Sequence, residues 1–278
     1  MGAGVEKSLN PIILTYHSIS AGSSPLHTTP SVFAAQMEWL RARARVMPIE
    51  EVVSALLERR PLPPRSVVLT FDDGFEDFHS NAAPLLLRLG FAATVFLPVD
   101  FCGRSSAWPG QPAWVQTKPL MSWAQIHELA SRGIQFGSHS RTHPDLTTLS
   151  PEKLEAELVE SAQEIKIRAG SVARFFCYPY GQWNANVRDA VRRHYQGACS
   201  TGVGQVAPDA DPFALPRVDA CYVRNPTIFQ SMFSRRFAAY LTARRLVRWM
   251  RHQPEGRYAR LPKGLPSQGT VRVGNLGS

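Results

Sequence analysis

Residues 67–74 read Val-Val-Leu-Thr-Phe-Asp-Asp-Gly, a strand-forming run that ends in two carboxylates and a glycine. A continuous apolar run of this length is typical of a strand in a parallel sheet that is covered on both faces. Neighbouring side chains of a regular strand point to opposite faces, so Asp72 and Asp73 share a centre only if Gly74 turns the chain. Two carboxylates around a shared centre repel each other unless a cation or a proton lies between them. We therefore expect a functional site here; the alternative is a surface turn in which an aspartate caps the next helix.

Similar apolar runs alternate with helical stretches over most of the chain. The pattern predicts strands at 12–16, 67–71, 92–97, 134–137, 174–177 and 197–200, and helices at 32–45, 49–59, 81–89, 122–131, 151–169 and 185–195. Strand and helix in alternation predict an α/β fold, either a barrel or an open doubly wound sheet. The periodicity alone does not choose between these two architectures.

The composition is that of a folded globular protein, because 44% of the 278 residues are apolar and 19% are charged. No apolar run reaches the roughly 18–20 residues that a membrane-spanning helix needs. The apolar stretch at residues 12–14 is also too short for a secretory signal. The four cysteines show no C-x-x-C spacing, which indicates free, buried thiols. We therefore expect a cytoplasmic protein.

The net charge of +9 comes from one end of the chain. Residues 219–278 hold eleven basic and two acidic residues, whereas the rest of the chain is balanced. Nucleic-acid enzymes usually carry basic charge around the working groove, so we expect no nucleic-acid partner. Within residues 226–251 we predict a basic helical segment, which either closes the fold or lies peripherally on the inner face of a membrane. Residues 252–278 are predicted to be a disordered tail.

Two histidines follow the predicted strand at 134–137. His139 and His143 are four residues apart and fall on one side of a helical turn, a spacing that suits zinc or another late first-row metal. Pro144 discourages a long helix, so we predict a single turn at the strand end. A carboxylate from another strand end would complete a two-histidine, one-carboxylate set with open positions for water and substrate.

Three further segments are expected at the same rim of the sheet, and those that contain His17 and Tyr180 directly follow predicted strands. His17 follows the first strand, and the turn containing Tyr180 could present a backbone N–H to an oxyanion. Arg217 offers a guanidinium that could hold a carboxylate. The long segment at 103–119 is predicted to be a lid or a substrate-facing insertion, in which Trp108 and Trp114 could stack on sugar faces.

Together these motifs resemble the polysaccharide deacetylases of carbohydrate esterase family 4, also called the NodB homology domain. The resemblance covers residues 70–74, 139–143, 176–181 and 215–218, and it runs from about residue 12 to residue 218. It implies a distorted (β/α) barrel with fewer than eight regular strands, within a catalytic domain of residues 1–225. It also implies a divalent metal, usually zinc, with cobalt, nickel or manganese as other candidates. Asp73, His139 and His143 would hold the metal, and Asp72 would be the general base.

The chain departs from the family pattern at two places. Cys177 stands where the common third motif has an arginine, so orienting the base would fall to Arg217. The usual C-terminal Leu-x-His is missing, and residues 13–17 instead resemble the circularly permuted branch that includes poly-N-acetylglucosamine deacetylases. In that branch His17 would be the general acid, and the N–H of Tyr180 would bind the oxyanion. Trp123 is similar to the family's aromatic residue near the substrate, although a core tryptophan is the alternative interpretation.

From this resemblance we expect a metal-dependent hydrolase that removes N-acetyl groups from an amino-sugar polysaccharide, oligosaccharide or glycoconjugate. One alternative is a hydrolase of cyclic amides, similar to allantoinase. Another is a non-catalytic protein with a degenerate site, whose basic segment binds a glycan or a membrane surface.

Overall fold

The computed structural model describes residues 10–22, 24–111 and 115–251. In these ranges the strands are β1 (Ile12–Tyr16), β2 (Ser18–Ile19), β3 (His27–Thr28), β4 (Arg45–Val46), β5 (Ser66–Phe71), β6 (Thr94–Leu97), β7 (Gln135–Ser138), β8 (Phe175–Cys177), β9 (Gly197–Val203) and β10 (Leu215–Asp219). The helices are α1 (Pro30–Arg43), α2 (Ile49–Leu57), α3 (Ala83–Leu89), α4 (Trp123–Ser131), α5 (Pro151–Ala169), α6 (Ala185–His194), α7 (Pro226–Gln230) and α8 (Arg235–Arg251). Each predicted strand and helix begins within two residues of its observed start.

Seven parallel strands close into a barrel. Their order around the ring is β1, β10, β9, β8, β7, β6 and β5, and β5 pairs back with β1. At the closure Leu14 of β1 lies beside Val218 on one side and Leu69 on the other. The short β4 pairs with the first residues of β5, outside the ring. The expected distorted (β/α) barrel with fewer than eight regular strands is thus confirmed.

Apolar side chains fill the barrel at the amino-terminal ends of its strands. This inner cluster includes Ile13, Val68, Phe96, Phe175, Cys199 and Leu215. Helix α2 lies across that end and adds Ile49, Val52 and Val53 to the cluster. The approach is so close that a Cβ on Gly197 would lie 2.9 Å from Cγ2 of Val53. Helix α2 therefore closes the barrel at this end, and the buried side chains of Asp72, Asp73, His139 and His143 lie at the other.

The structure adds elements that the sequence pattern did not predict. Strand β10 was missed because Pro216 interrupts it, and the register against β9 shifts between Leu215 and Arg217. Strands β2, β3 and β4 span two residues each, which is too short for any periodicity. A π-helical turn at Phe78–Ala82 leads into α3.

The two C-terminal helices pack at different places, α7 on α1 and α8 on strand β9 of the barrel. Trp39 of α1 meets Phe229 edge-on at 5.4 Å and stacks on Phe233 at 5.7 Å between ring centroids. Phe237 and Leu241 of α8 are buried in the main core. The apolar side of α8 that carries Phe237 and Leu241 therefore belongs to the fold. This agrees with the interpretation in which the basic helical segment closes the fold. The division predicted at residue 225 stays a prediction, and the tail predicted at 252–278 lies outside the described residues.

Candidate active site and metal centre

Asp73, His139 and His143 converge at the carboxyl ends of the strands. Oδ1 of Asp73 lies 3.5 Å from Nε2 of His139 and 3.6 Å from Nε2 of His143. One ligand atom from each of the three buried residues lies within 4.8 Å of the others. The structure therefore brings the predicted metal-ligand set together from two separate strand ends.

The backbone after β5 separates the two neighbouring carboxylates. The N–H of Asp72 donates to the carbonyl of Tyr16, so Asp72 still follows the strand direction. Asp73 then adopts a left-handed conformation with φ of 71°, and Gly74 continues it with φ of 67°. Because the chain turns at that point, Asp72 and Asp73 face different partners around one centre, as the sequence predicted.

His139 is oriented by a side-chain hydrogen bond, and His143 is positioned by its backbone. Nδ1 of His139 lies 2.7 Å from the carbonyl of Cys177, to which it donates, so its Nε2 carries the lone pair that faces Asp73. The N–H of His143 donates to Oγ of Ser140 at 3.0 Å, and both residues have positive φ. The expected helical turn is therefore replaced by a tight bend, which still brings the two imidazole rings to 4.7 Å.

Asp72 is held by Arg217 in a buried, bidentate ion pair. Nη1 and Nη2 of Arg217 donate to the two carboxylate oxygens at 2.7 Å each, while its Nε donates to the carbonyl of Ser200 at 3.0 Å. Burial by itself would raise the pKa of Asp72, but the charge and hydrogen bonds of Arg217 outweigh it and hold the pKa well below the ordinary carboxyl range. Asp72 is therefore a fixed, ionised carboxylate.

Cys177 fills the space beside this ion pair. Nη2 of Arg217 lies 3.2 Å from its Sγ, and the thiol is 3.6 Å from Oδ2 of Asp72. Burial raises the pKa of the Cys177 thiol well above its usual value. A neutral thiol thus stands at the position of the arginine in the common third motif, and Arg217 reaches the carboxylate from β10 instead.

His17 lies beside Asp72, directly after the end of β1. Its Nε2 is 3.9 Å from Oδ2 of Asp72, and its side chain is 15% exposed. His17 follows β1, whose last residue pairs with Phe71 at the end of β5. The structure therefore puts this imidazole next to the carboxylate and within reach of solvent.

Two aromatic residues form walls around His143. The ring of Trp108 lies 4.3 Å from the imidazole, and that of Tyr180 lies 4.6 Å from it at an interplanar angle of 75°. Tyr180 has a φ of 57°, a conformation that turns the chain after β8 toward the site. The backbone N–H of Tyr180 thus belongs to the segment that borders the candidate metal centre.

The predicted insertion at 103–119 is anchored beside the site. The ammonium group of Lys118 donates to Oδ2 of Asp77 at 2.7 Å and contacts the hydroxyl of Ser18 at 2.6 Å. Trp108 is buried against Phe75 and Leu120, so it supports His143 rather than offering a free face to a sugar. Trp114 lies outside the described residues.

Trp123 is not part of this cluster. It packs against the main core, and the guanidinium of Arg168 lies 4.9 Å from its ring centroid. The alternative interpretation of a core tryptophan describes this position better than a place beside the substrate. The tryptophan that contacts His143 is Trp108, and nothing in the sequence pattern of residues 103–119 predicted that contact.

The charges around Asp73 fit a divalent cation. Among the described residues, its only ion-pair partners are His139 and His143, since Arg217 is engaged by Asp72. Burial, and secondly the nearby His139, hold the pKa of His143 well below the ordinary value, so this imidazole is neutral. Burial also raises the pKa of Asp73. One carboxylate and two imidazoles with free lone pairs are the donors that a metal ion would take.

Comparison with known proteins points to one family. The family model for polysaccharide deacetylases matches residues 59–196. The polysaccharide deacetylase homologue YxkH of Bacillus subtilis is 30% identical over 216 residues, which cover 77% of this chain and 72% of YxkH. The poly-β-1,6-N-acetyl-D-glucosamine N-deacetylase of Staphylococcus epidermidis is 26% identical over 219 residues, which cover 72% of this chain and 71% of that enzyme.

Two solved structures have the same architecture. The deacetylase PplD of Streptococcus pyogenes, solved with acetate, has a TM-score of 0.67 and 25% identity over 76% of this chain and 92% of PplD. IcaB from Ammonifex degensii has a TM-score of 0.68 over 82% of this chain and 97% of IcaB, and its 23% identity shows a common fold. With a matching family model and a relative aligned over most of both chains, this protein belongs to the polysaccharide deacetylase family.

Proposed function

We propose that this chain is a metal-dependent N-deacetylase that hydrolyses the acetamide of N-acetylglucosamine residues in a polysaccharide or oligosaccharide. A hydrolase acting on carbon–nitrogen bonds is what the family and its relatives support. The observation that carries the proposal is that the two adjacent carboxylates have different partners. Asp72 forms an ion pair with Arg217, and Asp73 faces two histidines.

The proposed metal ligands are Asp73, His139 and His143. Two nitrogen donors and one carboxylate suit zinc, and cobalt, nickel or manganese could take the same site. When bound, such an ion polarises the acetamide carbonyl and lowers the pKa of a nearby water toward about 7. The hydrogen bond from His139 to the Cys177 carbonyl supports this assignment, because it leaves Nε2 free as a ligand.

Asp72 is the proposed general base. It would accept the proton of the attacking water, and the bidentate contact from Arg217 would keep its carboxylate in one orientation during that transfer. The N–H of Tyr180 would donate to the oxyanion of the tetrahedral intermediate, a kind of contact worth about 3–4 kcal/mol in comparable sites. His17 would then protonate the departing amine nitrogen, since an amide anion cannot leave unaided.

The substrate that we propose to test first is β-1,6-linked poly-N-acetylglucosamine. The S. epidermidis relative carries that substrate in its name, and it aligns over most of both chains. The cyclic-amide alternative has no support among the relatives reported above. A degenerate binding protein is disfavoured because all the residues of the predicted metal set, together with Asp72 and Arg217, are present and in contact.

The experiment is acetate release from a panel of N-acetylated glycans, including β-1,6- and β-1,4-linked oligomers, with an allantoin-type cyclic amide as comparison. We expect acetate from a glycan, loss of release after chelation, and recovery on adding zinc, cobalt, nickel or manganese. Ring opening of the cyclic amide without acetate release would overturn the proposal. Equal activity before and after complete metal removal would overturn the metal assignment.

A further inference from the structure

Helix α8 presents two different faces. On the inner face Phe237 and Leu241 are buried in the core, and the hydroxyl of Tyr240 donates to the carbonyl of Tyr222 at 2.7 Å. This face fixes the helix against the barrel. It accounts for the apolar residues in the first half of α8 but not for those in the second half.

Two arginines of α8 are also used on the inner side. Arg248 donates to the carbonyl and to the hydroxyl oxygen of Thr201, at 2.7 and 2.9 Å. The guanidinium of Arg244 lies over Tyr222, 4.9 Å from the ring centroid. These two arginines therefore help to hold the helix in place.

The outer face of α8 carries a second apolar stripe. Its positions i, i+4, i+7, i+8 and i+11 fall on one side of a helix, and they are occupied by Ala239, Ala243, Leu246, Val247 and Met250. Leu246, Val247 and Met250 are 45%, 39% and 54% exposed. Large apolar side chains in a row on a surface helix usually mark a contact surface.

Positive charge borders this stripe. Arg235, Arg236 and Arg245 are exposed, and within the described part of the chain no carboxylate lies at ion-pair distance from any of them. The sequence has no acidic residue between positions 220 and 254. The outer face thus combines apolar side chains with unneutralised guanidinium groups.

We propose that this face of α8 docks on an anionic lipid bilayer, with Leu246, Val247 and Met250 in the interfacial region and the bordering arginines at lipid phosphates. Apolar residues flanked by arginine are what an interfacial helix needs. A second copy of the chain would bring like charges together, and a nucleic acid would leave the apolar stripe uncovered. The helix lies on the bilayer, because no described helix has the length and hydropathy to cross one.

Helix α8 is connected to the candidate active site through its inner face. Thr201, which Arg248 binds, also packs against the turn after β8, where a Cβ on Gly181 would lie 2.0 Å from Oγ1 of Thr201. That turn carries Tyr180. Docking of α8 would therefore hold the open end of the barrel near the lipid surface. This consequence rests on the proposed function, whereas the docking itself is independent of that function.

The test is co-sedimentation of the full chain with vesicles of phosphatidylcholine alone and with roughly a third phosphatidylglycerol. We expect binding only to the anionic vesicles, weakened by salt. The double variant Leu246→Glu/Met250→Glu and the single variant Arg245→Glu should each bind at least about tenfold more weakly. Ile167→Glu on α5, which is 76% exposed, and Arg88→Glu on α3 are matched controls that should bind like the parent.

Unchanged thermal unfolding and unchanged acetate release from a soluble oligomer would show that the α8 variants fold and that the active site is separate from the docking face. Equal binding to neutral and anionic vesicles, no binding to either, or equal losses in the controls would overturn the proposal. So would a parent dimer that Leu246→Glu/Met250→Glu converts to a monomer, because a second copy would then be the occupant.

Discussion

Asp72 and Asp73 are neighbours in the sequence, and their surroundings give them opposite properties. Arg217 neutralises Asp72 through two hydrogen bonds, whereas Asp73 faces two imidazoles. The turn at Asp73, with φ of 71°, is what separates the two environments. Substitution of each aspartate should therefore affect a different property of the enzyme.

Asp72→Asn should lower kcat/KM for acetate release by about 10²–10⁴-fold, because it removes the proposed proton acceptor. Its metal content after zinc loading, measured by atomic emission, should match that of the parent, since Asp72 is outside the proposed ligand set. Asp73→Asn is the comparison variant, and it should lose metal as well as activity. An Asp72→Asn enzyme as fast as the parent would exclude Asp72 as the base.

Arg217→Met should destabilise the protein by about 3–5 kcal/mol, because it leaves the buried Asp72 carboxylate without a counter-charge. The measurement is the free energy of unfolding in urea. The double variant Asp72→Asn/Arg217→Met removes both charges and should be destabilised less than Arg217→Met alone. A loss below about 1 kcal/mol for the single variant would show that the ion pair is not fully desolvated.

For single residues, the sequence predicted which side chains form the site but not all of their neighbours. The strand–Asp-Asp-Gly pattern and the histidine pair predicted that a carboxylate meets two histidines, and the resemblance to the family selected Asp73 as that carboxylate. The wall that Trp108 forms on His143 could not be predicted, because an irregular segment has no period that fixes where its side chains point. Trp123 was assigned to the substrate by resemblance, and its neighbour is Arg168.

Among the elements, the turns after the strands decide the shape of the site. The turn after β8 is packed so tightly on β9 that a Cβ on Gly181 would lie 2.0 Å from Oγ1 of Thr201, and φ at Gly181 is 69°. Tyr180, whose N–H is the proposed oxyanion donor, is the preceding residue. The position of that N–H therefore depends on the adjacent glycine.

Gly181→Ala should lower kcat/KM at least about tenfold, because the added methyl group displaces the turn that carries the Tyr180 N–H. Gly90→Ala is the matched control, since Gly90 has a nearly equal φ of 66° and nothing lies within 4 Å of its added Cβ. Both variants should lose about 1 kcal/mol of stability from the left-handed conformation. Equal activity losses in the two variants would contradict the steric explanation.

The elements themselves were largely predictable from apolar runs and helix signals. Helix α5 has the predicted bounds because Ser150 caps its first turn and Gly170, with φ of 67°, ends it. Strand β10 was not recognised as a strand, since Pro216 breaks the run that contains Arg217. The residue that orients the base thus lies in the strand with the weakest local signal.

On the scale of the whole molecule, a metal ion held by Asp73, His139 and His143 would join the ends of β5 and β7. Binding to the native state alone stabilises a protein by about 4 kcal/mol when the ligand is at about a thousand times its Kd. We expect zinc to raise the midpoint of thermal unfolding over that of the chelated protein. His143→Ala should remove most of this increase; an undiminished increase would place the bound ion elsewhere.

Whether the strands form a barrel or an open sheet could not be predicted from periodicity. The decision lies in the pairing of β1 with both β5 and β10, contacts between residues that are far apart in the sequence. Local patterns report on burial and on secondary structure, but they contain no information about which two edges of a sheet meet. The resemblance to a family supplied that information here.

Helix α2 blocks the barrel at the end opposite the histidines. A glycan strand therefore cannot thread through the molecule, and it must enter and leave on the same side. Because neither end of the strand has to be inserted first, the enzyme can engage an internal sugar unit of a long polymer. Deacetylated units should then be scattered along the product instead of starting from one terminus.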